Sequence, residues 1–419
     1  MGTGMTASCT RSVLVFGAGI VGLAAAIALR RALPDAAITL LGVPGDTDGW
    51  IDRLGACSPV IHRFHRQIGL DPRLFARRTG AEPVHLRRYR WADGREAREA
   101  STPVIQFVEG VPLHHIWLRG REVSGGDFAA LLLAIRQARS DDGGFGARYD
   151  PAAYRALLGE MAGALGIVRR DASEVRITTD GPRIEGVGTE DEVLTADLYV
   201  DAAGPRSRLL SALGIGWHDW FLPPMALTVM PGGDGTLGEE VLDFDGDAVA
   251  WRTRLWSARL SPSTTEPAPG CLARFWSGNA VAIGEAAASA PVIDGVGFGL
   301  ALDDILRLVG LLPRPDGTGR EADEYDRRTG IAYASLCDWT AFSLGQRDTP
   351  MLAETLDAFE ARGRVSRPEL DPVQPGEWLA RLMALGPAPR RIDPTALALS
   401  EDIVRRTMAR ATPQPGPTR

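Results

Sequence analysis

The stretch Val13-Leu14-Val15-Phe16-Gly17-Ala18-Gly19-Ile20-Val21-Gly22-Leu23-Ala24-Ala25-Ala26 constrains the fold of this chain more than any other. An apolar strand, a Gly-x-Gly-x-x-Gly turn and an Ala/Leu-rich helix follow one another without interruption, which is the order a dinucleotide fold requires. Gly17 permits the tight turn, Gly19 has no side chain to hold a pyrophosphate off the backbone, and Gly22 lets helix and strand pack closely. The helix start adds free N–H groups and the positive end of its dipole. A Gly-rich buried turn without a ligand is the competing reading, and the legible strand and helix on either side favour the nucleotide.

The second strand, Ala37-Ile38-Thr39-Leu40-Leu41, ends at Gly42, where such folds carry the acid that binds the ribose hydroxyls. Its loss removes a charge-assisted hydrogen bond of about 1.5–3 kcal/mol, and Asp46 or Asp48 in the following loop are the substitutes within reach. Composition adds a sharper exclusion. The 46 basic residues are all arginine, with no lysine in 419 positions, so Schiff-base, P-loop-lysine and pyridoxal phosphate chemistry are excluded on this chain. A net charge of -7 argues against a nucleic-acid or anionic-membrane surface. Cys9, Cys57, Cys271 and Cys337 form no C-x-x-C pair, so no zinc or dithiol site is expected. His62 and His65 share a helical face over residues 60–70 but lack further ligands, so no metal is assigned. The uncharged run from Val13 to Leu29 is broken by phosphate-loop glycines and does not read as a membrane span; a cytoplasmic protein is expected.

Alternation in Val84-His85-Leu86-Arg87-Arg88-Tyr89-Arg90-Trp91, in Val104-Ile105-Gln106-Phe107-Val108 and on through Gly110-Val111-Pro112-Leu113-His114-His115-Ile116-Trp117-Leu118 predicts strands of a second, more antiparallel sheet. Asp150-Pro151 predicts a helix start, and residues 140–144 a polar loop. Val200-Asp201-Ala202-Ala203-Gly204 reads as a buried strand entering a turn. Ile283-Gly284-Glu285-Ala286-Ala287, followed by Asp294-Gly295-Val296-Gly297-Phe298-Gly299, restores the character of the first segment. Trp217, Trp220, Trp251 and Trp256 read as sheet packing ahead of pocket lining. The chain beyond about residue 320 reads as helices, and residues 411–419 as a disordered tail.

The N-terminal turn, the strand ending at Asp201 and the segment from Ile283 to Gly297 together resemble FAD-binding proteins of the aromatic hydroxylase superfamily. More narrowly, the chain resembles flavin-dependent tryptophan halogenases, in residues 110–118, in Tyr149-Asp150-Pro151-Ala152-Ala153-Tyr154, in residues 196–207, in Asp338-Trp339-Thr340 through Arg347-Asp348-Thr349-Pro350, and in Pro375-Gly376-Glu377-Trp378. The resemblance implies an α/β fold: a discontinuous Rossmann-like FAD-binding domain (11–60, 151–215, 276–315), an inserted, mostly antiparallel substrate domain (61–150, 216–275), and a C-terminal helical region (316–410). It assigns FAD to Gly17, Gly19, Gly22, Asp201, Gly204, Gly284, Glu285, Pro291, Gly295 and Gly297, with reduced flavin supplied by a partner reductase.

The departures are specific. The family's halogenating lysine should fall close to Thr79-Gly80-Ala81-Glu82-Pro83, and there is none. Gly55-Ala56-Cys57-Ser58 replaces a Gly-Glu-Ala/Ser-Thr segment, the Trp-x-Trp-x-Ile-Pro signature is reduced to Trp251-Arg252-Thr253-Arg254-Leu255-Trp256, and Glu285 stands where aspartate is usual. The expected function is therefore an FAD-dependent, monooxygenase-like oxidoreductase acting on a small aromatic or secondary-metabolite substrate, and not a conventional halogenase. The alternative is a non-redox cyclase, isomerase or binding protein on a degenerate flavoprotein scaffold. For acid or base work the candidates are His114 or His115, of which only one can face a pocket if they lie in a strand, and then Asp294.

Overall fold

The computed structural model describes residues 10–124, 127–138, 145–291, 293–312 and 319–410; the loop expected at 140–144 and the tail expected at 411–419 lie outside them. The chain divides into two compact units, one of residues 1–82, 147–229 and 262–340, the other of 83–146, 230–261 and 341–419.

The first unit is built on a six-stranded sheet in the order Val168–Asp171, Ala37–Gly42, Ser12–Phe16, Leu198–Asp201, Ala280–Ala282, Trp276–Ser277. Neighbouring strands pair in parallel except the last two. Being covered on both faces, the strand Ser12–Phe16 is apolar almost throughout. The helix Ile20–Ala32 buries its first ten residues, Ile20 to Leu29, so the glycine turn leads straight into the core. Gly17 has φ +107°, and a side-chain carbon on Gly22 would lie 1.9 Å from the Gly17 carbonyl oxygen. No other residue fits either position. As expected, Asp150 caps the helix Pro151–Ala164, accepting hydrogen bonds from the Ala152 and Ala153 N–H groups.

In the second unit the strands run in the order Trp256–Pro262, Ala248–Arg252, Glu239–Asp245, Leu86–Trp91, Glu96–Ala100. One pair, Glu239–Asp245 with Leu86–Trp91, is parallel and the rest are antiparallel. Trp251 and Trp256 are buried and meet edge to face at 4.8 Å, which is packing rather than pocket. Helices Leu113–Ser124, Phe128–Ala138, Pro375–Leu385 and Glu401–Ala409 share one apolar core with the sheet.

Two expectations change. Helices Val60–Ile68 and Pro72–Thr79 belong to the first unit, packed on the helices Val296–Gly310 and Pro151–Ala164, and not to a substrate domain beginning at 61. The C-terminal helical region is not separate: residues 319–340 complete the first unit and those from 341 the second.

Candidate functional site

The glycine turn lies at the carboxyl ends of the parallel strands, where open α/β sheets bind ligands. Two of its backbone donors, the Ala18 and Ile20 N–H groups, are already engaged. Asp46 turns back from the loop after the second strand, and its Oδ2 accepts hydrogen bonds from the Ala18 N–H (2.7 Å) and the Val43 N–H (3.1 Å). Asp52 Oδ1 accepts from the Ile20 N–H at 2.9 Å and from Arg155 at 3.0 Å. A side-chain carbon on Gly19 would lie 2.5 Å from Asp52 Oδ2 and 2.6 Å from the Asp46 carbonyl oxygen. Two carboxylates of the chain thus stand where a pyrophosphate would receive the same N–H groups. Burial pushes the Asp52 carboxyl up, against the lowering effect of the Ile20 N–H and Arg155.

Asp201 is buried and holds the adjoining turn, accepting from Ser207 Oγ (2.6 Å), the Leu209 N–H (2.9 Å) and the Ala203 N–H (3.1 Å). A carbon on Gly204 would lie 3.2 Å from the Gly45 carbonyl oxygen, so this turn supports the same 43–54 segment. Glu285 reaches that segment from the other side: its two oxygens accept from the Trp50 N–H at 2.8 Å and the Ile51 N–H at 2.9 Å. The longer side chain noted at this position serves that contact.

Gly284, Glu285, Gly295 and Gly297 come together with Trp50, Ile51, Leu54, Phe298 and Tyr333 around one cavity of about 30 Å³. Pro291 lines a neighbouring cavity of about 50 Å³. A single water needs roughly 10–15 Å³ and small-molecule pockets run to about 300–1,000 Å³, so neither takes a ring system. On the other side of the turn a cleft of about 640 Å³ is lined by Ala18, Gly42, Val43, Arg155, Arg169 and Asp171.

Of the catalytic candidates, His114 and His115 belong to the second unit and Asp294 to the first. His114 and His115 are not in a strand; both lie in the helix Leu113–Ser124, with ring centroids 4.1 Å apart. The helix forms because Leu113 and Ile116, three apart, join the apolar core of the second unit. His114 Nε2 donates to the Gly363 carbonyl at 2.8 Å, and burial lowers its pKa to about 4. His115 Nδ1 accepts from the Asp393 N–H at 3.4 Å. Asp294 is buried at the start of the helix Val296–Gly310, one oxygen accepting from the Val296 N–H at 3.1 Å and the other from the Trp339 indole N–H. His65 pairs with the Tyr154 hydroxyl at 2.9 Å, and among the described residues no cluster of three His, Cys, Asp or Glu could hold a metal ion. No helix among them is long and apolar enough to cross a membrane.

The model of the tryptophan halogenase family matches residues 12–230 and 248–401. The chain belongs to that family. Its fold is similar to those of BrvH, a flavin-dependent halogenase from Brevundimonas sp. BAL3 (TM-score 0.82, 21% identity, 96% of this chain and 95% of that one), and Xcc4156, a flavin-dependent halogenase from Xanthomonas campestris (0.82, 20%, 96% and 94%). The tryptophan 6-halogenase SttH from Streptomyces toxytricini is similar as well (0.81, 16%, 96% and 95%). No curated protein matches the chain. FAD is the cofactor of the tryptophan halogenase family, and a separate reductase supplies it reduced. In this member the two halves of the site differ. The cleft beside the glycine turn is open, at about 640 Å³, whereas the cavity lined by Trp50, Ile51 and Leu54 holds about 30 Å³ in this arrangement.

Burial pushes the Glu285 carboxyl from 4.5 up to about 7, against the lowering by the Ile51 and Trp50 N–H groups. The folded state therefore holds a proton that the unfolded chain releases between about pH 4.5 and 7, and stability falls as pH rises through that window. Asp304, raised by burial to about 6, acts in the same direction. Glu285→Gln should flatten the profile by on the order of 1–3 kcal/mol, read as unfolding free energy in urea at pH 5, 6, 7 and 8. An unchanged slope would show that Glu285 does not carry it.

Proposed function

We propose that this member of the halogenase family is a cytoplasmic FAD-dependent oxidoreductase, monooxygenase-like, that acts on a small aromatic substrate of secondary metabolism and does not halogenate it by the family's route. The absence of lysine from all 419 residues carries this reading. The segment where the family's amine should stand offers Glu82 and Pro83 instead, and an arginine guanidinium, which does not deprotonate in proteins, is no replacement.

FAD, when bound, supplies the two-electron and oxygen chemistry. The chain's own contribution would be to hold it: the Ala18 and Ile20 N–H groups on either side of Gly19, taken here by Asp46 and Asp52, would receive its phosphates, and Asp201 keeps the adjoining turn in shape. Asp294, with both oxygens engaged, positions the start of the helix Val296–Gly310. His114, neutral at pH 7 and tied to Gly363, positions its own helix.

A second reading, a non-redox enzyme or binding protein on the same scaffold, is favoured by one observation, the cavity of about 30 Å³ at the flavin end. Titration of the purified protein with FAD separates the two, since saturable binding supports the first and none at any concentration supports the second. If FAD binds, incubation with a flavin reductase, oxygen, bromide and a panel of indoles should give oxygenated products; brominated product would overturn the reading of the missing lysine.

A further inference from the structure

The second strand ends without the acid that binds ribose in such folds, and neither substitute expected from the loop takes its place. Asp46 sits on the Ala18 and Val43 N–H groups of the glycine turn, at the phosphate end rather than beside the end of the second strand, and Asp48 lines the small cavity beside Pro291. The edge strand Val168–Asp171 pairs in parallel with Ala37–Gly42 so that Asp171 stands opposite Gly42. A side-chain carbon built on Gly42 would lie 2.2 Å from Asp171 Oδ1 and 3.5 Å from Ala18 Cβ. The Asp171 carboxylate thus occupies the space into which an acid at position 42 would extend, beside the glycine turn. It is exposed and lines the open cleft of about 640 Å³ together with Arg155 and Arg169, and the Arg169 guanidinium pairs with it, donating to Oδ1 at 2.8 Å and to Oδ2 at 3.1 Å, which leaves further lone pairs of both oxygens facing solvent.

We infer that Asp171 has taken over from position 42 as the acceptor for the ribose hydroxyls, and that the open half of the site binds an adenosine diphosphate moiety with both of those hydroxyls free. The inference rests on the dinucleotide reading above and adds to it the residue that selects the sugar. A side chain at position 42 would have to displace the exposed end of Asp171, so the two positions compete for one space. FAD, NAD and free ADP all present the required chemistry, and Asp171 does not distinguish among them.

Calorimetric titration with ADP, 2′-deoxy-ADP, NAD and FAD tests this on the full chain, with Asp171→Ala, Asp171→Asn and the exchange Gly42→Asp/Asp171→Gly. The wild type should bind ADP, and Asp171→Ala should weaken it about tenfold or more, the loss expected for one charge-assisted hydrogen bond. Removing the 2′-hydroxyl should cost the wild type a similar factor and cost Asp171→Ala nothing further. The exchange, which returns the acid to the second strand, should recover most of the affinity, and far-UV circular dichroism verifies that each variant is folded. If Asp171→Ala binds ADP and FAD as tightly as the wild type, the assignment of Asp171 is overturned while the dinucleotide site stands. If the wild type binds none of the four, both fall.

Discussion

Replacing Asp46 and Asp52 together by alanine should tighten FAD binding about a hundredfold or more, measured by quenching of flavin fluorescence. A pyrophosphate arriving at the glycine turn must displace both carboxylates from the Ala18 and Ile20 N–H groups. Each charge-assisted hydrogen bond is worth about 1.5–3 kcal/mol, and about 1.4 kcal/mol is tenfold in affinity. The apparent affinity is the intrinsic one reduced by the fraction of molecules whose turn is clear. The substitution also removes two negative charges from a site for a dianion and frees Arg155 from Asp52, at 3.0 Å, for the incoming phosphate. ADP should gain as FAD does, because the competition is at the phosphates. The single variants should each gain less, and not additively, since both acids belong to one short segment. Equal affinities in wild type and double variant would mean that the carboxylates leave the turn at no cost.

What the sequence discloses about this site divides between local and distant. The strand, turn and helix around Gly17, Gly19 and Gly22 are set by neighbouring residues, so they are legible directly, as is the missing acid at Gly42. Asp171 is not legible: its place beside Gly42 depends on the register between strands about 130 residues apart in the chain, and no local pattern encodes a register. Asp46 and Asp52 are visible as acids near a phosphate turn, but which N–H groups they meet depends on the path of residues 43–54. His114 and His115 lie in a helix and not a strand for a different reason. Gly110-Val111-Pro112-Leu113 alternates like a strand, yet from Leu113 onward the spacing of Leu113 and Ile116 also satisfies a helix, and the apolar core of the second unit selects it. The same competition explains residues 60–79, whose helices are placed in the first unit by the partners they pack against rather than by their own composition.

The second unit's largest expected response is to loss of Glu99, which should cost about 3–5 kcal/mol of stability. Glu99 and Arg381 are 2% and 1% exposed, and the guanidinium Nε donates to Glu99 Oε2 at 2.8 Å. The Tyr89 hydroxyl donates to the same oxygen at 2.5 Å, and Arg87 to the other at 2.7 Å. Arg87 also pairs with the buried Glu240, whose second oxygen accepts from the Trp251 indole N–H at 3.0 Å. Glu99→Ala leaves the Arg381 guanidinium in the core without its carboxylate, and the cost comes from that uncompensated charge rather than from the worth of the pair. Glu99→Leu combined with Arg381→Met removes both charges and should recover most of the loss. Burial would raise the Glu99 carboxyl, but Arg381 and Arg87 hold it below its usual range. Its stabilisation is therefore present above the ordinary carboxylate pKa and is lost as pH falls through the lower folded value. Urea unfolding of the two variants at pH 7, with acid titration of the wild type, measures all three. A cost below about 1 kcal/mol for Glu99→Ala would mean that the core admits water to Arg381, and the double variant would then show no recovery.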